Sequence, residues 1–205
     1  MSKALVLVRH GQSEFNARNL FTGWADPPLT ELGIQEAHAV SDRLEGLGMR
    51  FDAAFSSPLR RARQTTEIIL GRLGGPKGYI EDAALNERDY GDLTGLNKTE
   101  AASRWGAQQV RRWRRSYAEA PPKGESLRDT AARALSFYLR QILPCVMRDE
   151  TTLVVAHGNS LRALIMTLDD LTPEAISNVE LATGEVRLYH LAADATVKSL
   201  EILAP

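Results

Sequence analysis

The sequence predicts an α/β fold, a three-layer α/β/α sandwich around a mostly parallel sheet. Three observations carry this. Short apolar runs alternate with amphipathic helical stretches, as in a parallel sheet covered by helices on both faces. Two of the runs, Ala4-Leu5-Val6-Leu7-Val8 and Leu153-Val154-Val155-Ala156, have no polar member, as strands buried on both sides require. Each is followed by a histidine and a glycine, in Arg9-His10-Gly11 and His157-Gly158-Asn159. Ligands of open α/β sheets bind outside the carboxyl ends of the strands. If the two runs are parallel members of one sheet, the two imidazoles meet at one site.

The elements follow in order. Ala4–Val8 reads as a central strand. Gly11–Pro28 has no period and carries Thr22-Gly23-Trp24 and Pro27-Pro28, the composition of a long functional loop. Thr30 caps a helix to about Gly46 with Leu32, Ala37, Val40 and Leu44 on its inner side. Phe51–Phe55 is a strand, and Pro58 opens a helix to about Leu73 that Gly74-Gly75-Pro76 stops. A weak strand near Tyr79–Ile80 leads into a polar loop over Asn86–Lys98, then a helix from Thr99 to about Tyr117. Ala120–Gly124 is a turn. Ser126 caps a long helix, with Asp129 at the capping-box position and Leu127, Ala131, Leu135, Tyr138, Ile142 and Val146 at helical spacing. Pro144 is expected to kink its end. Thr152–Ala156 is a strand, Asn159–Leu168 a helix, and Thr172-Pro173-Glu174 opens a short one. Glu185–Leu191 and Val197–Leu203 close the sheet. With no repeat, linker or low-complexity tract, residues 1–205 read as a single domain.

Composition excludes several function classes. The chain has 205 residues, 43% of them hydrophobic and 25% charged, and a net charge of -1 from 25 basic and 26 acidic side chains. Nothing global points to nucleic acid or an anionic membrane, so any anion site is a local cluster of arginines. The single cysteine, Cys145, has no partner for an internal disulfide and sits in an apolar helical stretch, where it reads as packing. The first apolar run is too short for a signal peptide or a membrane span, and a cytoplasmic location is the default expectation.

Of the four histidines, His38 and His190 read as structural or surface residues. His10 and His157 differ by their matched contexts, although either alone would fit a satisfied buried histidine. Zinc would need three or four ligands, and no cysteine or second histidine stands at ligand spacing from either. A serine triad would need a strand-to-helix elbow, a context that Ser13 and Ser160 lack. What remains is histidine as a phosphoryl carrier, since a neutral imidazole can attack phosphorus. Arg9 could grip phosphate with two parallel bonds. The backbone N–H groups of Gly11, Gly158 and Asn159 add anion donors. One arginine among Arg60, Arg61 and Arg63 is expected in the same crevice, with the others solvated. No phosphate-binding Gly-x-x-x-x-Gly-Lys loop is present, which argues against a nucleotide-driven kinase.

These residues resemble the histidine phosphatase superfamily and, within it, the 2,3-bisphosphoglycerate-dependent phosphoglycerate mutases. Arg-His-Gly alone points to the superfamily. The more specific blocks span most of the chain: Arg9-His10-Gly11-Gln12-Ser13 with Asn16, Phe21-Thr22-Gly23-Trp24, Leu85-Asn86-Glu87-Arg88 through Tyr90-Gly91, Gly95-Leu96-Asn97-Lys98, Trp113-Arg114-Arg115, and His157-Gly158-Asn159-Ser160-Leu161-Arg162-Ala163. The resemblance implies a phosphoglycerate mutase-like sandwich that interconverts 3-phosphoglycerate and 2-phosphoglycerate. His10 takes the phosphoryl group, primed by 2,3-bisphosphoglycerate and without a metal. Arg9, Arg61 and His157 hold that group, and Glu87 is the general acid and base. Ser13, Asn16, Thr22 and Gly23 line the pocket. Tyr90, Lys98, Arg114, Arg115, Gly158 and Asn159 bind the rest of a phosphorylated hydroxy acid, while Arg111 and Arg112 read as a solvated helix face. A broad histidine phosphatase on the same residues is the alternative. The short turn Ala120–Gly124 and short tail depart from longer family members, as do Gln12 and Asp89, where many members have glutamate and histidine. A homo-oligomer is left open.

Overall fold

The computed structural model describes residues 3–205. Six strands form one sheet in the order β3-β2-β4-β1-β5-β6. They are β1 (Lys3–Arg9), β2 (Ala53–Ser56), β3 (Ile80–Glu81), β4 (Thr152–Ala156), β5 (Val186–Leu191) and β6 (Val197–Leu203). The pairings β2–β3, β2–β4 and β1–β4 are parallel, and β1–β5 and β5–β6 are antiparallel. The sheet is therefore mixed and mostly parallel.

Side-chain alternation sorts the strands between two cores. Ala4, Val6, Val8, Ala54, Leu153 and Val155 point to one face and pack with Val40, Leu44, Ala62 and Ile69. These come from α2 (Glu31–Gly46) and α3 (Arg60–Leu73). Leu5, Leu7, Phe55, Val154 and Ala156 point to the other face, against Leu127, Ala131, Phe137, Ile142, Leu161 and Ile165. Those lie on α6 (Leu127–Phe137), the π-helical turn Tyr138–Ile142 and α8 (Gly158–Leu168). Each such leucine or valine contributes about 1.5–3 kcal/mol by burial. A third cluster of Phe21, Tyr90, Leu93, Val110 and Trp113 joins the first long loop to α4 (Lys98–Trp105) and α5 (Ala107–Arg115).

Several expectations are corrected. The loop after β1 contains a short helix, α1 (Glu14–Ala17), because Ser13 and Asn16 cap it reciprocally. Leu32 is 48% exposed, and Gly33 takes the inner position instead. The second strand begins at Ala53, after the buried Phe51, and the weak third strand begins at Ile80. The helix expected over Thr99–Tyr117 is two helices, because Gly106 adopts φ 85° between α4 and α5. The long helix breaks before Pro144, not at it: the π turn over Tyr138–Ile142 supplies the extra residue and α7 (Leu143–Met147) continues. The Ser126–Asp129 capping box forms, a contribution of about 1 kcal/mol. The last short helix, α9 (Pro173–Ile176), is capped by Thr172. No helix among the described residues is long and apolar enough to cross a membrane.

Candidate active site

The parallel register of β1 and β4 brings the two histidines together. Arg9 lies opposite Ala156, and the next residue, His10, donates its backbone N–H to the Ala156 carbonyl at 3.1 Å. The strands end level, so the His10 and His157 rings stand 4.9 Å apart at 61°. β2 pairs on the other side of β4, and the helix that follows it delivers Arg61 to the same point. Arg60 and Arg63 on that helix are exposed.

Hydrogen bonds fix the His10 tautomer. Nδ1 lies 2.6 Å from the Gly11 carbonyl, which can only accept, so Nδ1 carries the proton. Nε2 accepts from Arg61 Nε at 3.3 Å and is therefore the unprotonated nitrogen. Burial, then the charges of Arg61 and Arg9, hold the His10 imidazolium well below the usual histidine range. His157 is held down in the same way, by burial first and then by Arg61. Both rings are neutral near pH 7, and both ring nitrogens of His157 are buried without a hydrogen-bond partner.

Arg61 is 1% exposed, and each of its three nitrogens donates one hydrogen bond. Besides His10, it donates to the Ala25 carbonyl at 2.9 Å and the Gly23 carbonyl at 3.1 Å. Burial lowers its pKa to about 10, so it stays charged without a carboxylate bonded to it. Arg9 donates to the Leu181 carbonyl and leaves a buried Nε unpartnered. Such groups are costly to bury unless a hydrogen-bond acceptor completes them.

Glu87 is oriented by main chain. Its Oε1 accepts from the N–H of Arg88 at 2.8 Å and of Asn159 at 3.0 Å, which ties it to the N-terminus of α8. Its carbonyl accepts from Trp24 Nε1 at 2.7 Å and Arg133 Nη2 at 2.9 Å. The bonds to its carboxylate fall on Oε1, and Glu87 lines the cavity.

That cavity, of about 270 Å³, is walled by Arg9, Lys98, Arg114, Arg115 and Arg162 against two carboxylates, Glu87 and Glu180. Its volume is below the range of about 300–1,000 Å³ for drug-sized ligands and suits a small anion. Asn16, Thr22, Tyr90, Gly158 and Asn159 complete the part of the wall foreseen from sequence. His10, Arg61 and His157 are buried and do not line it; Arg9 and Gly158, the chain neighbours of the two histidines at the ends of β1 and β4, do. Ser13 and Gly23 do not line it. Ser13 donates to Asn16 Oδ1 at 2.9 Å and so holds the loop, and Gly23 serves Arg61 through its carbonyl. Arg115 pairs with Glu180 at the rim, while Arg111 and Arg112 are exposed.

Sequence reasoning missed Arg162, Leu20, Glu180 and Leu181 in the wall and Arg133 behind it. Arg162 had a signal: a charge within the apolar run Leu161–Ile165 of α8 must be buried and partnered. Glu180 and Leu181 lie in an irregular segment whose pattern carries none. Among the described residues, no three His, Cys, Asp or Glu side chains group as metal ligands would. His38 is exposed and His190 half-buried, away from the cavity wall, and Cys145 is half-buried with its Sγ against the Gln141 carbonyl.

Known proteins resemble this chain in sequence and fold. Residues 5–201 match the family model of the histidine phosphatase superfamily (branch 1). The chain is 60% identical over 205 residues to a 2,3-bisphosphoglycerate-dependent phosphoglycerate mutase of Brucella canis, covering 100% of both chains. It is 59% identical over 204 residues to one of Methylobacterium sp. (strain 4-46), covering 99% of this chain and 98% of the relative. Among solved structures, a protein described as mycobacterial hydrolase 1 superposes with a TM-score of 0.86 at 25% identity, over 100% of this chain and 99% of that one. A mycobacterial glucosyl-3-phosphoglycerate phosphatase in complex with VO3 gives 0.83 at 26% identity, over 98% of each. The chain thus belongs to the histidine phosphatase superfamily and, within it, to the family of the 2,3-bisphosphoglycerate-dependent phosphoglycerate mutases.

Proposed function

We propose that this chain interconverts 3-phosphoglycerate and 2-phosphoglycerate through a phosphohistidine at His10, and that residues 1–205 act as one catalytic domain in the cytoplasm. One observation carries the reading: His10, with Nε2 unprotonated and bonded to Arg61, lies under the charge of Arg9, and Arg9 is one of five cationic side chains in the wall of the cavity. 2,3-Bisphosphoglycerate supplies the phosphoryl group that primes His10. Its two phosphoryl groups and carboxylate match the cation excess, the unpartnered Arg9 Nε and the unpartnered His157 ring.

The residues divide the chemistry. Glu87, as carboxylate, takes the proton from the free hydroxyl of bound phosphoglycerate. The hydroxyl oxygen bonds to phosphorus as the bond to His10 Nε2 breaks, and that electron pair returns to Nε2. His10 then takes the other phosphoryl group, while Glu87 returns the proton to the departing oxygen. Arg9, Arg61 and His157 offset charge on the phosphoryl oxygens during transfer, where positioning and fixed donors do most of the work. Asn16, Thr22, Tyr90, Lys98, Arg114, Arg115, Gly158 and Asn159 hold the rest of the ligand. Ser13 and Gly23 act from behind the wall. No metal enters this scheme, so activity should survive dialysis against EDTA and vanadate should inhibit.

The test is an enolase-coupled assay with and without 2,3-bisphosphoglycerate, joined to intact-mass analysis. Wild type should gain one phosphoryl group and His10→Ala none. A His10→Ala protein still phosphorylated elsewhere would reject the assignment. The second reading is a broad phosphatase, favoured by the likeness to the glucosyl-3-phosphoglycerate phosphatase fold. Hydrolysis of p-nitrophenyl phosphate that outpaces phosphoglycerate interconversion would select it.

A further inference from the structure

Arg162 is a cation buried to 3% exposure in the second turn of α8, and it lines the cavity. A guanidinium only donates hydrogen bonds, and this fixes its surroundings. Nη1 donates to Asn159 Oδ1 at 3.0 Å and Nη2 to the Ile176 carbonyl at 2.5 Å. The Asn159 amide therefore has one orientation, with Nδ2 turned away from Arg162. Nδ2 donates to the Tyr90 hydroxyl oxygen at 3.4 Å, and Arg88 Nη2 donates to the same oxygen at 3.0 Å. A phenol oxygen with two donors on its lone pairs has only its O–H left to give. Tyr90 and Asn159 both line the cavity.

We propose that Arg162 is a positioning residue: by fixing the Asn159 amide it makes the Tyr90 hydroxyl an obligate hydrogen-bond donor to the anionic ligand in the cavity. The inference rests on the reading above only for the ligand's identity. Electrostatics support it. Burial alone would push the Tyr90 hydroxyl up, yet Arg88 and the donated bonds from Arg88 and Asn159 outweigh burial and the Glu87 charge, and it ends below its ordinary value. Arg9, Lys98 and Arg162 also face it. A more acidic hydroxyl is a stronger donor, and a bond to an anion is about twice as strong as a neutral one.

The experiment reads Tyr90 directly, by ring-carbon NMR of labelled tyrosine in the full chain, with the signal identified among five tyrosines by its loss in Tyr90→Phe. Arg162→Met should move the Tyr90 titration to higher pH and weaken 3-phosphoglycerate binding about 10-fold, the loss of roughly one charge-assisted bond. In an Asn159→Ala background, Arg162→Met should barely move Tyr90. Equal movement in both backgrounds would show a through-space charge effect and overturn the proposal, as would an unmoved Tyr90. Should Arg162→Met fail to fold, Arg162→Lys, which keeps the charge but not the planar fork, carries the same cycle. Because the titration needs no turnover, a wild type without mutase activity would remove the phosphoglycerate reading and leave this one standing.

Discussion

Gly11 and Gly33 meet backbone to backbone. A Cβ on Gly11 would lie 2.2 Å from the Gly33 carbonyl oxygen, and one on Gly33 would lie 2.1 Å from the Gln12 carbonyl oxygen. Neither partner is a flexible side chain, so neither contact can relax cheaply. The approach seats the turn after β1 on the first turn of α2, and the Gly11 carbonyl that holds His10 Nδ1 sits in that turn. Gly33→Ala should destabilise the protein by about 1–3 kcal/mol through overpacking. At about 2–4 °C per kcal/mol for a chain of this size, calorimetry should find a Tm lower by several degrees. Activity should fall with it, because His10 moves. An unchanged Tm would mean that the turn can shift away from α2.

The two depressed histidines make stability depend on pH, and the sign follows from linkage. His10 and His157 are neutral in the fold and titrate normally, near pH 6.5, when unfolded. Below that pH the unfolded chain binds more protons, so stability is complete above about pH 6.5 and is lost as pH falls toward the folded values. The slope is at most about 2.7 kcal/mol per pH unit for two protons. Urea unfolding between pH 7 and 5 should show it. His157→Gln should reduce the slope by about half, and an unchanged slope would assign it to other groups. The same depression keeps His10 nucleophilic as the solution is acidified.

Much of this site was legible because chain order and sheet register do the work. An apolar strand ending in His-Gly announces its own position, and two such strands paired in parallel need no further information to bring their ends together. Arg61 was less certain. Which of three neighbouring arginines faces inward depends on where α3 starts, and Leu59 rather than Pro58 is its cap residue. Ser13 was mislocated because a hydroxyl that caps a helix and one that binds a ligand look alike in sequence. The break at Gly106 was missed because α4 and α5 are both good helices, and only their packing against Phe21 and Leu93 sets the angle between them.

Arg133 should matter to catalysis without touching the ligand. It makes a bidentate pair with Glu125 at 2.9 and 2.8 Å. It also donates to the carbonyls of Ala84, Asn86 and Glu87, each at 2.9 Å. It thus clamps the segment that presents the Glu87 carboxylate. Arg133→Lys keeps the charge and loses the fork. The expected cost is about 1.5–3 kcal/mol of stability, the range for hydrogen bonds to charged groups. At a temperature where the variant stays folded, kcat should fall more than KM rises, since Glu87 acts on the proton. A KM effect with kcat unchanged would place Arg133 in ligand binding instead.

Arg114 and Arg115 should decide between transfer to substrate and loss to water. Isomerisation requires the bisphosphorylated species to turn and hand back its other phosphoryl group before water attacks phosphohistidine. Retention depends on holding the non-reacting anionic end. Both arginines line the cavity, and neither is bonded to the His10 cradle. Arg115 meanwhile rests on Glu180 at the rim, an exposed carboxylate that an incoming anion can displace at little cost. Removing a charge-assisted contact should weaken binding by about 1.5–3 kcal/mol, roughly 10- to 100-fold. The double variant Arg114→Ala with Arg115→Ala should therefore lose mutase kcat/KM far more than hydrolysis of p-nitrophenyl phosphate, which has no carboxylate to hold. His10 should still take up a phosphoryl group in the mass assay, because Arg9, Arg61 and His157 are untouched. An equal fall in both activities would mean that these arginines serve the chemistry or the fold. The carboxylate would then be held by other donors of the wall, Lys98, Tyr90 and Asn159.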